Sequence, residues 1–89
     1  MPQQRITLHD ETWSWTLESL GEQFVLTVVC GTVGLYNRTL VLSPVESERW
    51  EQGGPAALEP LVEAIRNDVT GAAFGDRYRR DLTWGGPDT

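Results

Sequence analysis

Apolar and polar residues alternate through the first half of the chain, and apolar residues recur at helical spacing through much of the second. Ile6 and Leu8 alternate with Arg5, Thr7 and His9. From Thr12 to Glu18 the alternation continues, with Trp13, Trp15 and Leu17 on one face and Ser14, Thr16 and Glu18 on the other. That period of two defines a half-buried antiparallel strand. Gly21-Glu22 interrupts it. Gln23 to Cys30, QFVLTVVC, is β-branched and aromatic and apolar on both faces, which places it as a central strand. Gly31 to Gly34 supplies another turn. Leu35 to Leu42 follows, with Tyr36, Leu40 and Leu42 on one face and Leu35 and Val41 on the other. Turn signals at this spacing predict a four-stranded β-meander.

The period changes at Ser43. Ser43-Pro44-Val45-Glu46 is a helix start, with serine as N-cap, proline in the first turn and glutamate three residues after the cap. The first helix is expected to end near Gln52, before Gly53-Gly54. Val45, Arg49 and Trp50 are assigned to one side and Glu46, Glu48 and Glu51 mostly to the other. A second helix is expected over 55–69, with Leu58, Leu61, Val62, Ile65 and Val69 forming one apolar stripe. Pro60 within it implies either an irregular first turn or a start near Ala57. Glu59, Glu63, Arg66 and Asp68 are expected to face solvent. Phe74, Tyr78 and Leu82 keep helical spacing, whereas Tyr78, Arg80, Leu82 and Trp84 alternate. Residues 77–84 are taken as a short strand or extended arm. The expected fold is α+β: four antiparallel strands, then two helices packed on one sheet face. Residues 1–84 form a single domain on this reading, and 85–89 a flexible tail.

A chain of 89 residues has room for one small core. No apolar run approaches the ~20 residues that a membrane-spanning helix needs, and the first residues do not read as a signal peptide. One cysteine, Cys30, supports neither a disulfide framework nor a cysteine-based zinc site. It ends an aliphatic run, so burial is expected rather than nucleophilic chemistry. Thirteen acids against seven arginines give a net charge of −6. The imbalance concentrates in residues 46–76, where seven acids face two bases. Such a domain is repelled by phosphate backbones and anionic membranes and attracts basic surfaces. Neither nucleic acid nor a membrane is therefore an expected partner.

The remaining candidates are weighed on chemistry. His9-Asp10-Glu11 is expected as a solvated turn, because three consecutive side chains do not converge on a metal. Arg77, Arg79 and Arg80, near Tyr78 and Trp84, are too few for nucleic-acid binding. Pairing with the acidic helices of the same fold or of a second copy suits them better. The acids of the helices lack the cleft that general acid–base catalysis requires. No nucleophile–base pair and no phosphate-binding loop is apparent, so no catalytic residue, metal or cofactor is expected. Tryptophan anchors many interfaces. Trp50, among Glu46, Glu48 and Glu51, is thus the expected centre of a contact surface reaching Gly54.

The segment SPVESERWEQGGPAALEPLVEAIRND resembles small bacterial immunity proteins of polymorphic toxin systems. The similarity lies in Leu42-Ser43-Pro44-Val45-Glu46, in Gly53-Gly54, and in the helical Leu58, Leu61 and Ile65. It implies a cytoplasmic α+β protein that binds and blocks a cognate toxin, often a basic nuclease. The expected function is therefore a non-enzymatic inhibitor of a basic protein. Two alternatives remain open: a homo-oligomer joined through an arm carrying Tyr78, Leu82 and Trp84, and a domain binding a small molecule between sheet and helix.

Overall fold

The computed structural model describes residues 5–11, 14–31, 36–68 and 70–79. It contains β1 (Arg5–Glu11), β2 (Trp15–Leu20), β3 (Gln23–Cys30), β4 (Tyr36–Val41), α1 (Pro44–Gly53) and α2 (Pro55–Arg66). The strands form one antiparallel sheet in the order β1-β2-β3-β4. This is the expected α+β meander followed by two helices. Leu20 pairs with Gln23 across the two-residue turn Gly21-Glu22. Gly21 supplies the positive φ, 62°, that a tight hairpin turn demands.

The register explains the core. Trp15 lies opposite Val28 and Leu17 opposite Leu26, and Leu26 in turn lies opposite Leu40. These residues therefore form cross-strand rows on one face. Leu58, Val62 and Ile65 of α2 close over them, and the whole set is buried. Each such aliphatic side chain contributes roughly 1.5–3 kcal/mol by leaving water. Cys30 is buried in the same cluster, and burial pushes its thiol pKa up, which suits an inert structural cysteine.

The opposite sheet face departs from the expected half-open strand. Glu18 is buried there, opposite Val25. Thr27 and Thr39 are also buried, with their hydroxyls 3.1 Å apart. Glu18 occupies the middle of the sheet rather than its rim, which is why alternation alone misplaced it in solvent. β1 also continues through Glu11, so His9-Asp10-Glu11 is strand, not turn. The β1–β2 register shifts between Thr7 and His9, leaving Leu8 as the extra residue of a bulge.

The helices meet at a single residue, Gly54, whose φ of 68° favours glycine. α2 starts at Pro55 and runs through Pro60. Pro60 removes one helical donor and is accommodated on the outer side of α2, where Ala56 and Pro60 are both exposed. The helix ends at Arg66, earlier than periodicity predicted: the Asp68 amide turns back onto the Ile65 carbonyl at 3.1 Å, and Arg38 takes the carbonyl oxygens of Ile65 and Asp68. Asp68 is buried rather than solvent-facing, and Arg66 reaches back to the Ser14 hydroxyl at 2.9 Å. After turns over 73–77, Tyr78 forms an antiparallel bridge to Leu40, and the Arg79 amide donates to the Thr39 carbonyl at 2.7 Å. Trp13, Val69, Arg80, Leu82, Trp84 and the expected tail at 85–89 lie outside the described residues.

Candidate partner-binding surface

α1 is built by polar chemistry. The Ser43 hydroxyl accepts from the Glu46 amide at 3.2 Å, and the Glu46 carboxylate accepts from the Ser43 amide at 2.8 Å. This is the reciprocal capping box that the sequence predicts. The same carboxylate receives both terminal nitrogens of Arg77, at 2.6 and 3.0 Å. Arg77 also donates to the Val41 carbonyl at 2.9 Å. These bonds, the Arg77 bond foremost, hold the Glu46 carboxyl below its usual pKa and raise that of Arg77. Glu46 is thus engaged within its own fold, by Ser43 and Arg77. Arg77 pairs with an acidic helix of its own chain, as one of the expected alternatives has it.

The inward side of α1 also differs from the expected one. Glu46 and Trp50, four residues apart, turn inward together, and Trp50 is half-buried against the core. Val45 is 60% exposed. Val45 and Trp50 are five residues apart, about 140° around a helix, so the two cannot share a face. The outward side presents Val45, Glu48, Arg49, Glu51 and Gln52, all exposed. Gln52 donates to Glu48 at 3.3 Å. Of the four residues expected to bind a partner, Glu48 and Glu51 are exposed, Trp50 is half-buried behind them, and Glu46 is engaged by Arg77.

A second cluster joins residues that no sequence motif brings together. The Asp68 carboxylate accepts from the Ala73 and Phe74 amides at 3.1 and 3.3 Å and from the Tyr78 hydroxyl at 2.8 Å. Arg38 lies 4.0 Å from the same carboxylate and between the rings of Tyr36 and Tyr78. Burial pushes the Asp68 carboxyl up, but these donors outweigh it and hold it below its usual value. The Tyr78 phenol is pushed up to about 12, by burial first and then by its bond to Asp68. Every member has partners within the chain, so the cluster pins residues 68–78 to the sheet. The one available signal is an aspartate just past a helix end, where its side chain can collect following amides. Tyr78, expected on an oligomer arm, is engaged here.

His9 stacks at 4.6 Å on the ring of Trp15, with its Nε2 3.7 Å from a Glu11 carboxylate oxygen. His9 Nε2 and Trp15 Nε1 are buried polar atoms without a hydrogen-bond partner. Among the described residues, no group of three or more His, Cys, Asp or Glu side chains is placed to hold a metal. No helix among them is long and apolar enough to cross a membrane. Comparison with known proteins finds no match among family models, curated proteins or solved structures. Fold and surface together define a small α+β protein with an acidic outer helix face.

Proposed function

We propose that this chain is a non-enzymatic binding module that inhibits a basic protein partner, in the manner of an immunity protein blocking a toxin. The observation that carries this reading is the surplus of exposed carboxylates over arginine on the outer side of α1. Arg38 and Arg77 turn inward, onto Asp68 and the end of α2 and onto Glu46 and Val41, while Arg66 reaches Ser14 and pairs with Glu63 at the surface. Glu48, Glu51, Glu63 and Asp76 are exposed. Arg49 and Arg79 are exposed as well, and the inward Arg38 and Arg77 each take an acid with them, so the exterior keeps the net charge of −6, with Glu48 and Glu51 outnumbering Arg49 on the outer side of α1. Such a surface steers a basic partner into contact and discriminates against acidic ones. Val45 adds an exposed apolar residue among the carboxylates, the arrangement of an anchor within a polar rim. A partner shaped to this face carries a basic patch around a shallow apolar pocket. Nucleic acid and anionic membranes are disfavoured by the same field.

The test is Glu48→Arg with Glu51→Arg against a basic protein captured by the tagged wild type. Both positions are exposed, so the folding transition is expected to hold while binding is lost. Wild-type binding should also weaken from low to high salt. Undiminished affinity in the folded double variant would remove this face from the reading. Trp50 is the poorer test site, since it packs on the core and its truncation would mix folding with binding.

A further inference from the structure

The two edges of the sheet are treated differently. At β4, two of the backbone carbonyls pointing away from β3 are already taken: that of Thr39 by the Arg79 amide and that of Val41 by Arg77. At β1, among the described residues, nothing pairs with the outer side. β1 also carries two of the four exposed large hydrophobic residues among those described, Ile6 at 52% and Leu8 at 40%. An open strand edge with apolar residues is a template for another strand.

The register tells which backbone groups are available. In a two-residue hairpin the residues flanking the turn bond to each other, and bonded pairs then alternate. Leu20, Glu18 and Thr16 therefore bond toward β3, and Ser19, Leu17 and Trp15 toward β1. Their partners on β1 are Ile6, His9 and Glu11. Thr7 and Asp10 consequently direct their amides and carbonyls outward.

We propose that β1 is a homodimer interface, pairing antiparallel with β1 of a second copy. In this arrangement Thr7 of each copy faces Asp10 of the other. A closed two-fold contact of this kind is self-complementary. The bulge at Leu8 poses no obstacle, because both copies carry it and the spacing from Thr7 to Asp10 is identical in each. Charge selects the antiparallel direction. The strand ends in Asp10-Glu11, so parallel pairing would set the acids of the two copies side by side, whereas antiparallel pairing keeps them at opposite ends. The two copies of Leu8 meet near the two-fold axis, where each shields the other from water. The dimer so formed runs through the opposite sheet edge from the Tyr78 arm and leaves the outer face of α1 free.

Light scattering over a concentration series tests this on the full chain. The mass should rise from 10.0 kDa toward twice that value as concentration increases. Leu8→Lys, at an exposed position, should return it to the monomer mass. Thr7→Cys with Asp10→Cys should give a covalent dimer on oxidation, while the wild type, whose Cys30 is buried, gives none. A wild type that stays monomeric throughout, together with no covalent dimer from the cysteine pair, would overturn the proposal. So would a dimer that survives Leu8→Lys and fails to cross-link, since its interface would lie elsewhere. Binding of a basic partner by a monomeric wild type would overturn the dimer while leaving the acidic face of α1 intact.

Discussion

α1 and α2 are neighbours of similar length, ten and twelve residues, joined by one glycine, yet opposite physics holds them in place. α2 buries Leu58, Val62 and Ile65 against the sheet. α1 has no fully buried residue at all. It is tied down by the capping box at Ser43, by the grip of Arg77 on Glu46, and by half-buried Trp50. An apolar stripe is bulky, non-directional and tolerant of charge and pH. A polar tether is directional, titratable and modest in strength. The contrast shows how a helix can remain open to a partner: it is fastened at one end and along one side by few contacts, so its outer face stays in water.

Truncation sharpens the contrast most. Leu58→Ala or Ile65→Ala should cost about 2–5 kcal/mol in urea unfolding, since each leaves a cavity in a closed interface. Glu46→Ala removes one half of the capping box and leaves Arg77 without its carboxylate. It should cost about 1–2 kcal/mol. Equal losses from the two helices would break the distinction between them.

How far this organisation is visible in the sequence follows from the same division. The meander and the α2 stripe are legible because burial imposes periods of two and 3.6, and Gly21 and Gly53-Gly54 mark the breaks. The Ser43 cap is legible because its partners lie three residues apart. The orientation of α1 is not, because two apolar residues five apart define no face and a distant arginine decides. Glu46 meets Arg77 across 31 positions, and Arg38 meets Asp68 across 30. Such pairs leave no local period, so Glu46 looks like a surface acid and Asp68 like a solvated one. Of the expected contact residues, Glu48 and Glu51 were recognisable as surface acids because no distant residue draws them inward; Glu48 meets only its helical neighbour Gln52.

Next in size is the response to pH, which acts on the tethers and spares the stripe. The Glu46 and Asp68 carboxyls sit below their unfolded values. Their contribution is present above about pH 4 and is lost as pH falls through the lowered values. Tyr78 has the opposite sign. Its neutral phenol is favoured in the fold, so its contribution is full below about pH 10 and fades as pH rises toward its folded value of about 12. Stability measured against pH should therefore fall at both ends. Asp68→Asn should reduce the acid limb, which Glu46 shares, and Tyr78→Phe the alkaline one, which buried Cys30 shares. A Tyr78→Phe protein with an unchanged alkaline limb would detach that limb from the Asp68 cluster.

The smallest expected change in stability tests the exposed side of α1. Val45 stands 60% exposed on a helix, where it packs on little and loses rotamer freedom to the preceding turn. Alanine lacks that penalty, so Val45→Ala should leave stability unchanged or raise it by about 0.5 kcal/mol. Partner affinity should move the other way and fall by about tenfold, because an apolar anchor inside a rim of carboxylates contributes to binding rather than to folding. Opposite signs in thermal unfolding and in calorimetric titration would mark Val45 as a contact residue. A parallel fall in both would instead show that Val45 supports the fold, and would confine the contact surface to Glu48 and Glu51.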